Sequence, residues 1–312
     1  MSRNVCITAV EGHTGFVITE LLLTNDLFKK EIGSVVGLAI DPNAPHCKEL
    51  ADKGATIMPH KPGRVREVVS TLQNTKADTL CLIPPAHGSK ADVTFELIEA
   101  SKRAGIRNVC FLSAAGCDLA ERSTQPRLRE FIDLEAEFLK IKGDPNTNPL
   151  YSPAQEEGLL PIPIGYNHKF PPVALGDVAQ LVAHVLTSKG KHGFSDQVRG
   201  QLIVLTGPTL VNGEELARIA SKTLGTEMRF EDISENEARR VLRQQGDADD
   251  AEIQYILEYY SLVHQGKTNY LSTAAFHDIT GNYPVEPPEF FNMYKEEFLP
   301  KRANKQRKID GK

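Results

Sequence analysis

The sequence predicts an α/β fold, a doubly wound, mostly parallel sheet followed by a smaller mixed α/β C-terminal lobe. Three observations carry that expectation. Short β-rich runs alternate with longer helical periods through the first 140 or so residues, the pattern of stacked βαβ units. Val35 to Ile40 and Leu80 to Ile83 are apolar on both alternating faces, as central strands covered by helices on each side require. The length, 312 residues, suits two lobes at about 100 to 200 residues each.

In chain order, the strands expected are Asn4 to Val10, Ser34 to Ile40, Ala55 to Met58, Thr79 to Ile83 and Asn108 to Leu112. Helices fall between them at Thr14 to Phe28, His46 to Lys53, Arg64 to Leu72 and Ser89 to Ala104, and right-handed crossovers wind these into one sheet. An Arg/Glu-rich helix follows at Arg127 to Lys142. Gly143 to Pro149 is dense in Pro and Asn, which marks a loop. The domain boundary is placed here: a first domain over 1–143, a smaller substrate or partner lobe over 144–300, and a basic, disordered tail over 301–312.

The second part predicts a helix Leu175 to Thr187, capped by Asp177 or Gly176, a strand Gln201 to Leu205 and a helix Gly213 to Leu224. A strand near Met228 to Phe230 and helices Glu235 to Gln245 and Ala251 to Gln265 come next. The last helix, Glu289 to Phe298, carries Phe290, Phe291, Tyr294 and Phe298 on one face, a stripe read as core.

Composition excludes several function classes. Apolar residues make up 40% of the chain, yet no run approaches the ~20 residues of a membrane span. The formal charge of −5 argues against direct nucleic-acid binding, which needs a basic face. The N-terminus has no apolar h-region, so the protein is expected in the cytoplasm, with the nucleus left open by the basic tail. Five cysteines, without CxxC spacing, read as reduced thiols, and no metal site is expected.

The chemistry is concentrated at Ala9-Val10-Glu11-Gly12-His13-Thr14-Gly15-Phe16, between the first strand and the first helix. In that context an AxxGxxG spacing is a phosphate-binding turn: Gly12 lets backbone approach a pyrophosphate, Gly15 lets helix pack on strand, and the helix N-terminus attracts anions. The first 143 residues are therefore expected to bind a dinucleotide through Gly12, His13, Thr14, Gly15 and Phe16. Asp41, ending the second strand, is placed to accept from ribose hydroxyls and to repel a 2′-phosphate, which favours NAD(H) over NADP(H) as alternative; capping the turn before Pro42 is its other reading. Pro84, Pro85 and His87 lie at the carboxyl end of the fourth strand, as a stiff wall and a donor to phosphate or substrate. An exposed loop histidine is the plainer reading of His87.

The chain also resembles the NmrA-like group of atypical short-chain dehydrogenases. The AxxGxxG turn, Phe111-Leu112-Ser113-Ala114-Ala115-Gly116, Pro172 to Ala179, and Leu205 to Leu210 running into Glu214-Glu215-Leu216-Ala217 carry the likeness. It implies a Rossmann-type fold and Ser113 as a cofactor-side and weak catalytic candidate. The parent enzymes relay a proton through a Tyr-x-x-x-Lys pair, but here no tyrosine is followed four residues later by lysine, and Arg127 and Phe131 are assigned to those places. The resemblance thus implies a redox-sensing regulator that binds NAD(P) and meets a protein partner such as a transcription regulator. The alternative is an atypical oxidoreductase acting on a small carbonyl or enone. A sixth strand usual in the group is expected before Gln155-Glu156-Glu157-Gly158, where only Asn146 to Pro153 fills the interval. A truncated sheet and a chain lacking a piece are the two readings.

Overall fold

The computed structural model describes residues 2–142, 159–245 and 250–298. The first 142 residues alternate as expected: β1 (Arg3–Thr8), α1 (His13–Thr24), α2 (Asp26–Lys29), β2 (Ile32–Ala39), α3 (Pro45–Asp52), β3 (Thr56–Pro59), α4 (Val65–Asn74), β4 (Thr79–Leu82), α5 (Lys90–Ala104), β5 (Asn108–Phe111) and α6 (Pro126–Lys142). Then come β6 (Leu159–Pro161), α7 (Leu175–Thr187), α8 (Gly213–Leu224), β7 (Arg229–Glu231), α9 (Glu235–Gln245), α10 (Asp250–His264), α11 (Ala274–Thr280), α12 (Pro287–Met293) and α13 (Lys295–Phe298).

The five N-terminal strands form one parallel sheet in the order β3-β2-β1-β4-β5. The order reverses at β1, so the carboxyl ends of β1 and β4 flank the crevice where doubly wound sheets take ligands. Period-2 alternation sends Val5 and Ile7 into one core and Cys6 into the other, with Val35 and Ala39 opposed to Val36 and Leu38 in the same way. The first core is closed by α1 and α7, with Phe276 of α11, and the second by α4, α5 and α6. A third core joins α8, α9, α10 and α12 to β6, which pairs in parallel with β7. Among the described residues no helix is long and apolar enough to cross a membrane.

Several local expectations are corrected. The helix expected over Thr14 to Phe28 breaks at Asn25, whose extended backbone and side chain, accepting from Leu27 N at 2.9 Å, start α2 instead. Gln201 to Leu205 is not a strand. Among the described residues no strand pairs with it, and Val204 O and Thr206 are bonded instead to Ser272. The cap of α7 is Ala174, without a side-chain bond; Asp177 looks away and accepts from Val285 N at 2.8 Å. The last helix divides at Tyr294, and of its stripe Phe291 and Phe298 are buried while Tyr294 is exposed. β6 and α11 were not expected. The sixth-strand question at Asn146 to Pro153, the Gln155 to Gly158 segment and the tail over 301–312 lie outside the described residues. Among the described residues β5 is the edge of its sheet, and Asn108 Oδ1 accepts from Phe194 N there at 3.2 Å.

Candidate functional site

The turn after β1 is built on one unusual backbone position. Ala9 stands at φ +52°, left-handed for a residue with a Cβ, where the usual pattern has glycine. From there the chain folds back so that Gly12 N donates to Ala9 O at 3.2 Å. A Cβ on Gly15 would stand 2.3 Å from Ala9 O and 2.8 Å from Val10 Cα, so only glycine lets α1 come this close to the turn. Gly12 is different. It has an ordinary extended backbone, and a Cβ there would meet nothing nearer than Ala9 O at 3.5 Å. Its missing side chain leaves open the approach to the α1 N-terminus, which no side chain caps and whose first turn holds no acid. The free N–H groups of His13, Thr14 and Gly15 and the helix dipole make that end a ready anion site.

Around the turn, Phe16 is half-buried and stacks on His46 with centroids 4.4 Å apart, and exposed His13 meets the same imidazole edge-on at 5.3 Å. His46 Nδ1 lies 2.8 Å from Glu11 O, so that nitrogen carries the proton and donates. Asp41 is exposed and accepts from Asn43 N at 3.0 Å, closing a turn on itself. Glu11 reaches across from the turn to the end of β2, its Oε1 accepting from Ile40 N at 2.8 Å. Its Oε2 is shut off from solvent and has no hydrogen-bond partner. Burial raises the Glu11 carboxyl above its usual range against the pull of the Glu11, Ile40 and Asp41 backbone N–H groups, and the Asp41 charge adds to the rise.

At the end of β4, the Thr8 hydroxyl donates to Ile83 O and accepts from Ile83 N, at 2.9 and 2.7 Å, which fixes this strand end to β1. Pro85 is buried and Pro84 half-buried behind the crevice, whereas His87 is exposed and bonded to Ser89 Oγ at 2.9 Å. Ser113 is buried, and its hydroxyl donates to Glu135 Oε1, which Cys117 Sγ also approaches at 3.4 Å. The α6 residue that meets Ser113 is therefore Glu135, not Arg127 or Phe131. Those two serve a different cluster. Lys90 is buried, its Nζ donating to Arg127 O at 2.7 Å, pairing with Glu130 at 3.1 Å and standing 3.9 Å over the Phe131 ring. Burial lowers its pKa, and Glu130 opposes that shift. Arg127 itself donates to Gly88 O at 3.0 Å.

One feature escapes the sequence altogether. A cleft of about 110 Å³, partly open to solvent, begins at Ala115 in the loop after β5 and runs between Phe170–Ala174, Leu205–Thr206, α10 and α12. Its walls are mainly apolar, and Tyr259, Tyr260 and Tyr270 line it. Burial raises the Tyr270 phenol, and Asp118 and Cys117 raise it further. The lining residues are scattered from Ala115 to Phe291, so no local period marks them. Glu11 did carry a signal, an acid inside a turn built to receive anions.

No family model matches the chain. A curated relative, the prestalk A differentiation protein A of Dictyostelium discoideum, is 27% identical over 143 residues, which cover 46% of this chain and 43% of that protein. The match thus spans less than half of that relative's length. Among solved structures, the triphenylmethane reductase of Citrobacter sp. has a TM-score of 0.73 at 17% identity, covering 95% of this chain and all of that one. That reductase is also known complexed with NADP(H). An NADPH-dependent quinone oxidoreductase of Escherichia coli gives 0.71 at 21% identity over 93% and 98% of the two chains. A nucleoside-diphosphate-sugar epimerase of Staphylococcus aureus gives 0.70 at 16% over 94% and 100%. These likenesses extend over the whole length of those proteins, and they show that the chain has the Rossmann-type α/β fold.

Proposed function

We propose that this chain is a nicotinamide-dinucleotide-binding protein of the NmrA-like kind that reduces an apolar, conjugated acceptor. The observation that carries the binding is the uncapped, acid-free N-terminus of α1 behind an open Gly12. The residues present fit the group. His13, Thr14 and Gly15 would hold the pyrophosphate through their N–H groups, Pro84 and Pro85 would back it, and the adenosine half would lie toward the end of β2. The nicotinamide end would lie toward Ser113–Ala115, where the cleft begins. Several similar structures are named as NADP(H) complexes or as NADPH-dependent reductases, which supports the same class.

When bound, the reduced nicotinamide supplies a hydride. The chain's own part is to hold the acceptor in the cleft, exclude water from it with apolar walls, and deliver a proton. With no Tyr-x-x-x-Lys pair, we assign that proton to the Tyr270 phenol, kept protonated by its surroundings. Positioning the partners side by side lowers the barrier further.

A second reading, a redox-sensing regulator with a protein partner such as a transcription regulator, is favoured by one observation: the Ser113 hydroxyl is already committed to Glu135. Thermal melting with NADH and NADPH tests the shared premise, since a ligand at 100 times its Kd stabilises by about 2.7 kcal/mol. No shift at millimolar concentration of either dinucleotide would overturn both readings. Oxidation of bound cofactor by a panel of quinones, enones and cationic dyes selects the first reading, and none above background selects the second.

A further inference from the structure

We infer that Tyr259 is a second hydroxyl for the oxygen of the acceptor, working beside Tyr270, and that the cleft admits uncharged acceptors and turns away acids. The inference rests on the reduction reading above. The polar side chains on the cleft wall are Thr206, Thr268 and the tyrosines Tyr259, Tyr260 and Tyr270, and no Asp, Glu, Lys, Arg or His lines it. The threonines are spent on the wall itself. The Thr206 hydroxyl donates to Gly207 O at 3.0 Å and accepts from Ser272 N at 2.9 Å, and the Thr268 hydroxyl donates to Lys169 O at 3.1 Å. Both threonines and Tyr260 are buried, whereas Tyr259 and Tyr270 keep part of their surface. A ligand in the cleft therefore meets two phenols.

Two phenols suit one carbonyl oxygen, which has a lone pair for each. Burial raises both of them, and Tyr270 raises Tyr259 further, so both meet the acceptor as protonated donors. The acceptor takes the hydride of the reduced nicotinamide at a carbon of its conjugated system, and its π electrons pass to the oxygen. Hydrogen bonds to an oxygen that gains charge strengthen as the charge develops. The Tyr270 proton closes the new O–H bond and is replaced from water, while Tyr259 keeps its own.

The same wall offers an anion little. The ionised groups around it are carboxylates or are already paired: Asp118 raises the Tyr270 phenol, Asp177 accepts from Val285 N at 2.8 Å, and Lys169 and Lys267 pair with Glu215 and Glu121, each at 2.8 Å. A carboxylate or sulfonate on the acceptor would lose its water for two neutral phenols at most, and would take them from the reacting oxygen.

Steady-state reduction of a naphthoquinone carboxylic acid and of its methyl ester, with NADH and NADPH, tests the inference on the whole chain. The ester is the larger compound, so a preference for it reads charge and not size. The expected kcat/KM is about tenfold or more higher for the ester. Tyr259→Phe should lower kcat for the ester about 10²-fold, with KM changed less than about threefold and the melting temperature kept. Acid and ester used within about threefold of each other by wild type overturn the charge rule without any variant. A kcat that Tyr259→Phe leaves unchanged overturns the part given to Tyr259. Either result leaves reduction standing. Reduction of neither compound, by protein that binds the dinucleotide, overturns the reduction reading itself.

Discussion

Gly12 and Gly15 sit three residues apart in one turn, yet the structure gives them opposite duties, and a matched pair of alanine variants separates them. A methyl on Gly15 would stand 2.3, 2.8 and 2.9 Å from Ala9 O, Val10 Cα and Ala9 C, all backbone atoms that cannot swing aside. Overpacking of that kind costs about 1–3 kcal/mol and more where backbone must shift. The better helix propensity of alanine returns about 1 kcal/mol. Gly15→Ala is thus expected to lose roughly 2 kcal/mol, a fall in Tm of about 3 °C for a chain of this size. Gly12 at φ −84°, ψ 159° already has a backbone any residue adopts, with 3.5 Å of room. Lower unfolded-state entropy gains about 0.4–1 kcal/mol in Gly12→Ala, and a poorer N-cap loses a similar amount, for a net change within about 0.5 kcal/mol. Its methyl instead blocks the anion approach, and NADH affinity should fall at least tenfold, about 1.4 kcal/mol. Urea unfolding gives the first quantity and calorimetry the second. If Gly12→Ala unfolds as early as Gly15→Ala, or binds NADH as wild type does, the division of labour argued from the turn is wrong.

Three further outcomes are expected. Ala9→Gly relieves a left-handed alanine at φ +52°, worth about 1–2 kcal/mol before the entropy of the added glycine is deducted; the net is a stabilisation of roughly 0.5–1 kcal/mol, and a lowered Tm would contradict it. Asp177 is buried and raised to about 6, by burial first and then by the Glu289 charge, against the Val285 N–H. Its native form therefore binds protons more readily than the unfolded chain, so its contribution favours folding at pH 4 and is lost as pH rises to about 6. Asp177→Asn should remove that slope and leave the variant more stable than wild type above pH 6, by up to about 3 kcal/mol, as read from urea midpoints against pH. In the cleft, Tyr270→Phe should lower kcat for reduction by about 10²-fold or more with KM for the acceptor little changed. An unchanged kcat would remove Tyr270 as the proton source.

The parts of the fold that were legible in the sequence are those where burial is two-sided. β1, β2 and β4 read correctly because helices cover both faces and keep their central residues, such as Val5 to Ile7 and Leu80 to Leu82, apolar. Gln201 to Leu205 misled for the converse reason: its apolar residues look like a strand, but Leu202 is 55% exposed and the backbone bonds go to Ser272. The break at Asn25 and the cap of α7 turned on single side-chain hydrogen bonds, which no period reports. Within the site, the turn was legible because glycine spacing is local. The bond that Glu11 makes to the end of β2 was not, since it joins residues 29 positions apart. The assignment of Arg127 and Phe131 came from matching acids along α6, whereas the Ser113 contact lies two turns beyond Arg127, at Glu135.

α10 joins these pieces into one mechanical unit. Tyr255, Glu258 and Leu262 recur at helical spacing on the face toward the first lobe: Tyr255 within 5.8 Å of the Lys90 ammonium, Glu258 Oε2 accepting from Leu128 N at 2.7 Å, and Leu262 packed into the second core beside Gly116. Ser261 accepts from Gln125 at 3.1 Å on the same side. Tyr259 and Tyr260 of the same helix line the cleft. The helix that forms one wall of the cleft therefore also caps the start of α6, the helix that holds Ser113 through Glu135. A ligand filling the cleft acts on α10 first, and only a difference in its affinity for two positions of that helix could reach the cofactor end. The buried Glu258 carboxylate, raised by burial against its bonds from Leu128 N, the Gln254 side chain and Arg127 N, makes a shift of α10 expensive, because moving it strands a buried acid away from its donors. That stiffness favours a fixed active-site wall over a moving switch, and it is the physical reason for ranking reduction of a cleft-bound acceptor ahead of redox sensing.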